Sequence, residues 1–354
     1  MPDRDPSGGP GVESILAPFR DVSPALSVAI EDADGKRVAG TSTDPVPAGA
    51  IEREIVAGPL ARGRVVAWGP SVGSSLALAS VASMAVALGI AHTVRSAGIA
   101  DADARRIEQE LALGRQLQRS FVGLVGPEIP GYDLACHYEQ AYEVGGDFFD
   151  VFRLVRRGRP LSVVVADVTG KGIAAALLMA FARPLIHAAI DNTTGPAEAL
   201  ERTNRVLRER RASLFITALC GTLTLSTGRL RLANAGHEPP LLVRRDGSPI
   251  VPLEGSGPLL GAFSSLDLVE TVATLDPGDA AVLYTDGVTD ARSATGERFG
   301  DDRLLAAIET ARGGSAAELV ESITGAVNRF QGGTLPADDV TLVVIARKVR
   351  GARR

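Results

Sequence analysis

The stretch from Leu161 to Gly172 reads LSVVVADVTGKG. Its first six residues are nearly all apolar and rich in β-branched side chains, and they predict a buried strand. The strand ends at Asp167, a Gly-containing turn follows, and the Ala- and Leu-rich segment after it predicts a helix. An acid at the end of a buried strand costs free energy unless a cation meets it. Taken alone, Asp167 is best explained as a helix N-cap, but the chain repeats this arrangement.

Three further acidic motifs stand at predicted strand ends or turns. They are Gly145-Gly146-Asp147-Phe148-Phe149-Asp150, Tyr284-Thr285-Asp286-Gly287 and Asp338-Asp339-Val340-Thr341. Asp-Gly is common turn chemistry, so each motif is a weak signal by itself. Four such motifs beside apolar strands, without neighbouring His or Cys, favour a shared site for hard divalent cations such as Mg²⁺ or Mn²⁺. Two such ions about 4 Å apart activate water and clamp a phosphoryl group.

Composition excludes several classes of protein. The 354 residues predict two or three domains, and 45% hydrophobic with 22% charged residues are typical of a globular chain. A net charge of −5 provides no general basic field for nucleic acid. Cys136 and Cys220 are predicted to be reduced core thiols, which favours the cytoplasm. Residues 65–94 carry no charge, but Gly and Pro interrupt them and Ala and Ser dominate, so no membrane span is predicted.

The chain divides by pattern into four parts. Residues 1–20 predict a disordered tail. Residues 21–96 resemble a truncated GAF-type sensor, and a purely structural dimerisation module is equally consistent with them. Residues 97–125 predict a linker helix, amphipathic over 101–124, that either packs on the next domain or dimerises. Residues 126–348 contain strands and helices in blocks, which predicts layered α+β architecture.

The expected elements of the last part follow from hydrophobic periodicity. The predicted strands are 132–138, 147–154, 161–167, 214–225, 228–235, 240–244, 249–253, 267–274, 280–285 and 339–346, and the predicted helices are 173–190, 196–211, 301–311 and 316–330.

Several ordered motifs carry a family resemblance. VGGDFFDVF, ADVTGKGIAAAL, NAGHEPPLL, LYTDGVTDAR and ADDVTLVVI occur in that order. Because of these motifs, the chain resembles the SpoIIE-type (RsbU-like) branch of the metal-dependent protein phosphatases, which form the protein phosphatase 2C superfamily. The resemblance covers roughly residues 110 to 348. The resemblance implies an αββα sandwich and a serine/threonine phosphoprotein phosphatase that uses two Mn²⁺ or Mg²⁺ ions.

The resemblance also implies roles for individual residues. Asp167 would bridge both metals, and the backbone carbonyl of Val168 would bind the second. Asp286 and Asp338 would complete the first metal, and Asp147 would bind the second directly or through water. Residues implied in supporting roles are Asp339, Gly146, Gly170, Gly287 and His237. His237 is either a general acid for the leaving oxygen or a residue that fixes a turn, and the turn role is favoured.

The resemblance further implies a phosphorylated anti-sigma-factor antagonist of the STAS type as substrate, and a homodimer paired through the linker helix. Two alternatives differ in class. A two-metal nucleotidyl cyclase would need several convergent cations, of which Lys171 and nearby Arg residues are the candidates. A catalytically weak partner-switching module would bind a regulator without hydrolysis.

Overall fold

The computed structural model describes the backbone of four N-terminal strands and most of the C-terminal two thirds of the chain. The described residues are 27–32, 37–40, 50–56, 62–68, four positions between 112 and 118, and then 128–141, 144–154, 160–209, 214–334 and 336–349. The predicted tail at 1–20 lies outside them, as does the uncharged segment after residue 68. Of the predicted linker helix, four positions are described, and their backbone is helical.

The N-terminal unit contains one antiparallel sheet. Its strands are β1 (Ser27–Asp32), β2 (Arg37–Gly40), β3 (Ile51–Val56) and β4 (Arg62–Trp68), in the spatial order β2-β1-β4-β3. The prediction missed β3, whose sequence IEREIV carries three charges in its middle. These four strands alone do not test the GAF-like interpretation of the region, which stays a prediction.

The C-terminal unit contains two five-stranded antiparallel sheets. The strands are β5 (Tyr132–Glu139), β6 (Phe148–Arg153), β7 (Leu161–Val168), β8 (Ile216–Thr224), β9 (Arg229–Ala235), β10 (Leu241–Val243), β11 (Val251–Pro252), β12 (Thr271–Thr274), β13 (Ala280–Tyr284) and β14 (Val340–Arg347). One sheet has the order β11-β10-β13-β14-β5 and the other the order β12-β9-β8-β7-β6. The helices are α1 (Ile173–Asp191), α2 (Pro196–Glu209), α3 (Asp286–Thr289), α4 (Gly300–Thr310) and α5 (Ala316–Gln331).

Helices flank both sheets. The first sheet is covered by α4 and α5, whose Leu304, Ile308, Leu319 and Ile323 share one buried cluster with Val282, Leu342 and Val344. The second sheet is covered in part by α2, which packs on β8 and β9. The α+β fold with two sheets flanked by helices is thus confirmed, and the periodicity placed the long elements within a few residues.

Local sequence explains where α5 starts and stops. Ser315 and Glu318 form a reciprocal capping box at its N-terminus. At its C-terminus, Gly332 takes a left-handed conformation with φ of 61°. The one-turn helix α3 was not predicted, because its sequence, Asp-Gly-Val-Thr, has the composition of a turn.

Among the described residues, α1 is the one helix long and apolar enough to cross a membrane by length and composition. Half of the relevant segment is buried within the protein. The core helix of a soluble protein meets the same criteria, so this is weak support for a span.

Candidate metal centre

Asp167 lies near the C-terminal end of β7, an inner strand of the second sheet. The strand lies between β6 and β8, and its residues are buried almost throughout. Gly146 lies against the end of this strand: a Cβ there would sit 2.9 Å from the Val168 carbonyl oxygen and 3.4 Å from Asp167 Oδ1. A side chain at this position would therefore press on the two groups that the family resemblance implies as metal ligands.

Asp147 joins the two sheets. Its side chain is almost fully buried, and Oδ2 accepts hydrogen bonds from Thr285 Oγ1 at 2.7 Å and from Thr341 Oγ1 at 2.6 Å. Thr285 follows β13 and Thr341 lies in β14, so both hydroxyls come from the sheet opposite β6. Burial raises the pKa of Asp147 well above its usual value, and the neighbouring charges of Asp167 and Asp339 raise it further.

Asp339 organises the loop that leads into Asp147. Its Oδ1 accepts from the Ala141 backbone N–H at 2.9 Å, and its Oδ2 accepts from the Asp147 N–H at 3.3 Å. A Cβ at Gly145 would overlap this carboxylate. Asp339 is therefore committed to backbone groups, which suits an orienting role.

Asp286 and Asp338 lie on adjacent loops of the first sheet. Asp286 begins α3, and Gly287 beside it lets the helix approach the Asp339 carbonyl, which a Cβ would overlap. Burial, followed by the charge of Asp338, raises the pKa of Asp286. The Lys171 ammonium lies 3.1 Å from Asp338 Oδ2 and donates to the Ala337 carbonyl at 2.5 Å.

These carboxylates influence one another electrostatically. Burial raises the pKa of Asp167 to about 7, and repulsion from Asp286, Asp338 and Asp339 adds to the increase. Elevated pKa values caused by burial and by like charges mark candidate functional sites. The structure thus brings the five aspartates implied by the resemblance into one region at the facing edges of the two sheets.

In their present orientations, the carboxylates do not form a complete metal-binding site. Across the described part of the chain, no three His, Cys, Asp or Glu side chains stand close enough together to hold a metal ion. Asp147 instead meets threonine hydroxyls, Asp338 meets Lys171, and Asp339 meets backbone N–H groups. The all-oxygen donor set fits Mg²⁺ or Mn²⁺. Binding would require some of these carboxylates to turn from their present partners.

His237 is buried beside this region. Asn234 fixes its backbone through two hydrogen bonds of 2.8 Å, and Nδ1 lies 2.7 Å from Thr217 Oγ1. Burial lowers the pKa of His237 to about 4, which keeps the ring neutral near pH 7. A neutral ring held in a turn favours the turn-fixing role over that of a general acid.

Sequence reasoning missed the threonines and one cation. Thr285 and Thr341 belong to two of the acidic motifs and stand next to buried apolar residues, which was a usable signal for hydroxyl groups that face those acids. The positive charge of Arg298 offsets part of the rise in the pKa of Asp286, and Arg298 forms an ion pair with Asp290. Arg298 lies in the loop that follows the LYTDGVTDAR motif, but a single arginine in a loop has no pattern that points to the site. His187 of α1 stacks on Phe152, and its Nδ1 lies 2.8 Å from Asp150 Oδ2.

Known protein families and sequences include clear relatives of this chain. The sequence model of the Stage II sporulation protein E (SpoIIE) family matches residues 157–348. The chain belongs to the SpoIIE family. It is homologous to the phosphoserine phosphatase RsbU of Bacillus subtilis, with 30% identity over 246 residues that cover 69% of this chain and 72% of RsbU.

Two other similarities are informative. Protein IcfG of Synechocystis sp. is 29% identical over 267 residues, which cover 67% of this chain but 41% of IcfG, so the chain spans less than half of that relative. The solved SiaA-PP2C domain of Pseudomonas aeruginosa superposes with a TM-score of 0.60 at 22% identity, covering 69% of this chain and 98% of that domain. That likeness establishes a PP2C-like fold.

Proposed function

We propose that this chain is a metal-dependent protein serine/threonine phosphatase that removes phosphate from phosphoserine or phosphothreonine on a regulatory protein. A phosphorylated anti-sigma-factor antagonist of the STAS type is the proposed substrate, and the cytoplasm the proposed location. The single observation that carries the proposal is the cluster of five aspartates at the facing edges of two sheets, where burial raises the pKa values of Asp147, Asp167, Asp286 and Asp339.

The proposed ligands are Asp147, Asp167, the Val168 carbonyl, Asp286 and Asp338. When bound, Mn²⁺ or Mg²⁺ would lower the pKa of water and offset charge on the phosphoryl oxygens. The protein's own contribution is to hold acidic oxygens together in a partly buried site, where their mutual repulsion favours the binding of cations. Thr285 and Thr341 keep the Asp147 side chain in place through two short hydrogen bonds.

Lys171 supports the same site from the loop after β7. It links that loop to the segment before β14 through Asp338 and the Ala337 carbonyl. This link holds Asp338 at the edge where Asp286 also lies.

Hydrolysis assays test the proposal directly. We expect Mn²⁺-dependent hydrolysis of p-nitrophenyl phosphate and of a phosphoserine peptide by the full chain, lost in Asp167→Asn and Asp286→Asn. Asp302→Asn, an exposed carboxylate on α4, is the matched control and should keep wild-type rates. Full activity in both site variants would refute the site. Absence of Mn²⁺ binding by calorimetry would instead support the non-catalytic partner-switching alternative.

The regulatory part of the prediction extends beyond the described residues. We propose that the linker helix pairs two copies of the chain and influences the rate of the phosphatase domain. A fragment of residues 125–354 with the same rate and metal affinity as the full chain would contradict this.

A further inference from the structure

A lysine ammonium stands beside the aspartates of the candidate metal centre. Lys171 Nζ lies 3.1 Å from Asp338 Oδ2, and the two side chains are 46% and 45% exposed. Burial is the main cause of the raised pKa of Asp286, and the charge of Lys171 is among the weaker causes that oppose it. The ammonium therefore acts on both aspartates that the proposed function assigns to the first metal.

The loop that presents Lys171 is fixed at its base. The Thr169 N–H donates to the Phe215 carbonyl at 2.9 Å, and the Phe215 N–H donates to Thr169 Oγ1 at 2.9 Å. Thr169 lies two residues after Asp167, and Phe215 directly precedes β8. These two hydrogen bonds fasten the start of the loop to the second sheet.

The tip of the same loop is lightly packed. Gly170 and Gly172 flank Lys171 with φ angles of 94° and 73°, which glycine adopts without strain. Apart from its neighbours in the chain, no atom of the described residues lies within 4 Å of a Cβ built at Gly172. The lysine side chain is long and flexible. The ammonium can therefore leave Asp338 without disturbing the base of the loop.

Both carboxylate oxygens of Asp338 have partners. Oδ1 accepts from the Asp339 N–H at 3.1 Å, and Oδ2 pairs with the Lys171 ammonium, which also donates to the Ala337 carbonyl at 2.5 Å. A divalent cation and an ammonium seek the same carboxylate oxygen, and two cations on one oxygen repel each other. The Lys171 contact is thus the one that a metal ion at Asp338 has to replace.

We propose that Lys171 is an exchangeable counter-ion of the metal centre: its ammonium compensates the charge of Asp338, leaves Oδ2 when Mn²⁺ or Mg²⁺ binds there, and so lowers the affinity of the centre for the ion. The proposal rests on the proposed function and adds to it a residue that sets the concentration at which the site fills. The exchange replaces one positive charge by two, which suits a cluster of mutually repelling carboxylates.

Calorimetric titration of the full chain with Mn²⁺ tests the exchange. Lys171→Gln removes the charge but can still donate to the Ala337 carbonyl, and it should bind Mn²⁺ about fivefold more tightly than wild type. An exposed ion pair contributes up to about 1 kcal/mol, which corresponds to this factor. Lys171→Arg keeps the charge and should bind no more tightly than wild type. Lys348→Gln, at an exposed lysine after β14, is the matched control and should leave the affinity unchanged.

A second background separates exchange from repulsion at a distance. Asp338→Asn removes the charged partner of Lys171, so adding Lys171→Gln to it should change the Mn²⁺ affinity less than twofold. If Lys171 only repelled cations through space, the fivefold gain would remain in this background.

Lysine labelling with an acetylating reagent detects the exchange without an activity assay. The chain contains lysine at positions 36, 171 and 348 alone, so mass spectrometry can follow each one separately. Saturating Mn²⁺ should raise the labelling rate of Lys171 about threefold, because its ammonium no longer pairs with Asp338. The labelling rate of Lys348 should not change.

Several results would overturn the proposal. These are unchanged or weaker Mn²⁺ binding by Lys171→Gln, labelling of Lys171 that Mn²⁺ does not increase, and a chain that binds no Mn²⁺. Hydrolysis judges the proposed function separately. If Lys171→Gln tightens Mn²⁺ binding but no phosphoserine substrate is hydrolysed, the phosphatase function fails and the exchange stands. If hydrolysis requires Mn²⁺ but Lys171→Gln and wild type need the same concentration, the exchange fails and the function stands.

Discussion

Two buried aspartates of the C-terminal unit have opposite surroundings. Asp147 is 2% exposed and Asp279 is 4% exposed, and each lies just before a strand. Asp279 accepts from Arg244 Nη1 at 2.6 Å, from the Arg245 N–H at 3.1 Å and from the Asp276 N–H at 2.9 Å. A cation and two amides thus compensate the charge that folding buries.

Asp147 has no such compensation among its described neighbours. Its partners are two threonine hydroxyls and the Asp167 carboxyl, with which it shares a hydrogen bond, and its pKa is raised by burial first and then by the charges of Asp167 and Asp339. Breaking a buried ion pair is costly, so Asp279 is explained by stability alone. Burying an acid among other acids lowers stability, and such an arrangement is expected where a site needs a cation. The difference separates a structural carboxylate from a functional one.

The largest expected effect is on activity when Asp147 is neutralised. Asp147→Asn should lower kcat/KM on a phosphoserine peptide about 10²-fold or more, because it removes charge from a preorganised electrostatic site. The same change should raise the melting temperature of EDTA-treated protein, since one source of repulsion is gone. Kinetics and thermal unfolding in EDTA check both effects, and a lowered melting temperature with intact activity would place Asp147 in the structural class.

Asp279→Asn should show the reverse pattern. Because it leaves Arg244 without its charged partner, we expect the free energy of unfolding to fall by about 3 kcal/mol. The folded variant should keep the wild-type kcat/KM on the peptide. Urea denaturation measures the free energy of unfolding, and kinetics at low temperature measure kcat/KM of the folded variant. If kcat/KM fell together with stability, Asp279 would not be a purely structural residue and the contrast with Asp147 would be wrong.

The sequence alone predicted a functional role for Asp147, but it did not predict the ion pair of Asp279 with Arg244. Asp147 sits in a Gly-Gly-Asp motif that belongs to an ordered series, so local pattern and resemblance both pointed to it. The Asp279–Arg244 pair spans 35 residues with no shared motif, and the periodicity that predicts strands says nothing about which loops meet. The same limit hid Thr285 and Thr341, whose importance arises only when two sheets face each other.

The layered fold itself was predictable because buried strands and amphipathic helices have different hydrophobic periods. Two short elements escaped for local reasons. The charges of Glu52, Arg53 and Glu54 obscured β3, and α3 is a single turn that begins with Asp-Gly. The absence of a finished cation cage among the described residues was also invisible, because side-chain orientation depends on partners such as Lys171 that come from other loops.

The pH dependence of stability sharpens the comparison at Asp167. Its folded pKa of about 7 exceeds its ordinary value of 3.8, so the folded state binds more protons between these pH values. Ionisation of this group therefore makes the metal-free protein less stable as pH rises from about 4 to 7. Asp167→Asn removes the effect, so the melting temperature of this variant minus that of wild type should increase with pH. Using the difference cancels other groups such as His237, whose lowered pKa acts in the opposite direction.

Thermal unfolding at pH 5 and pH 8 in EDTA gives this difference. Added Mn²⁺ should raise the wild-type melting temperature more at pH 8, where the carboxylates are ionised, and should have little effect on Asp167→Asn. A difference that is constant with pH would mean that Asp167 is compensated in the way that Asp279 is.

The smallest expected effect concerns the hydroxyls that hold Asp147. Thr341→Val keeps the shape of the side chain but removes the 2.6 Å hydrogen bond to Asp147 Oδ2, which leaves Thr285 as the remaining hydroxyl donor to that oxygen. Hydrogen bonds to charged groups contribute about 1.5–3 kcal/mol, and the remaining donor and the raised pKa of Asp147 reduce the loss, so about 1 kcal/mol is expected.

Ser162→Ala is the matched control for this change, because Ser162 is buried in the same sheet as Asp147 and donates to the neutral Gly221 carbonyl at 3.2 Å. Both variants should lose a similar amount of stability, since each removes one buried hydrogen bond. Calorimetric titration with Mn²⁺ should distinguish them: Thr341→Val should bind the ion several-fold more weakly, because Asp147 is less firmly oriented, whereas Ser162→Ala should bind it as wild type does. Equal affinities would mean that the threonines only offset the cost of burying Asp147. In that case the neighbouring charges alone would distinguish Asp147, as a functional aspartate, from Asp279, as a structural one.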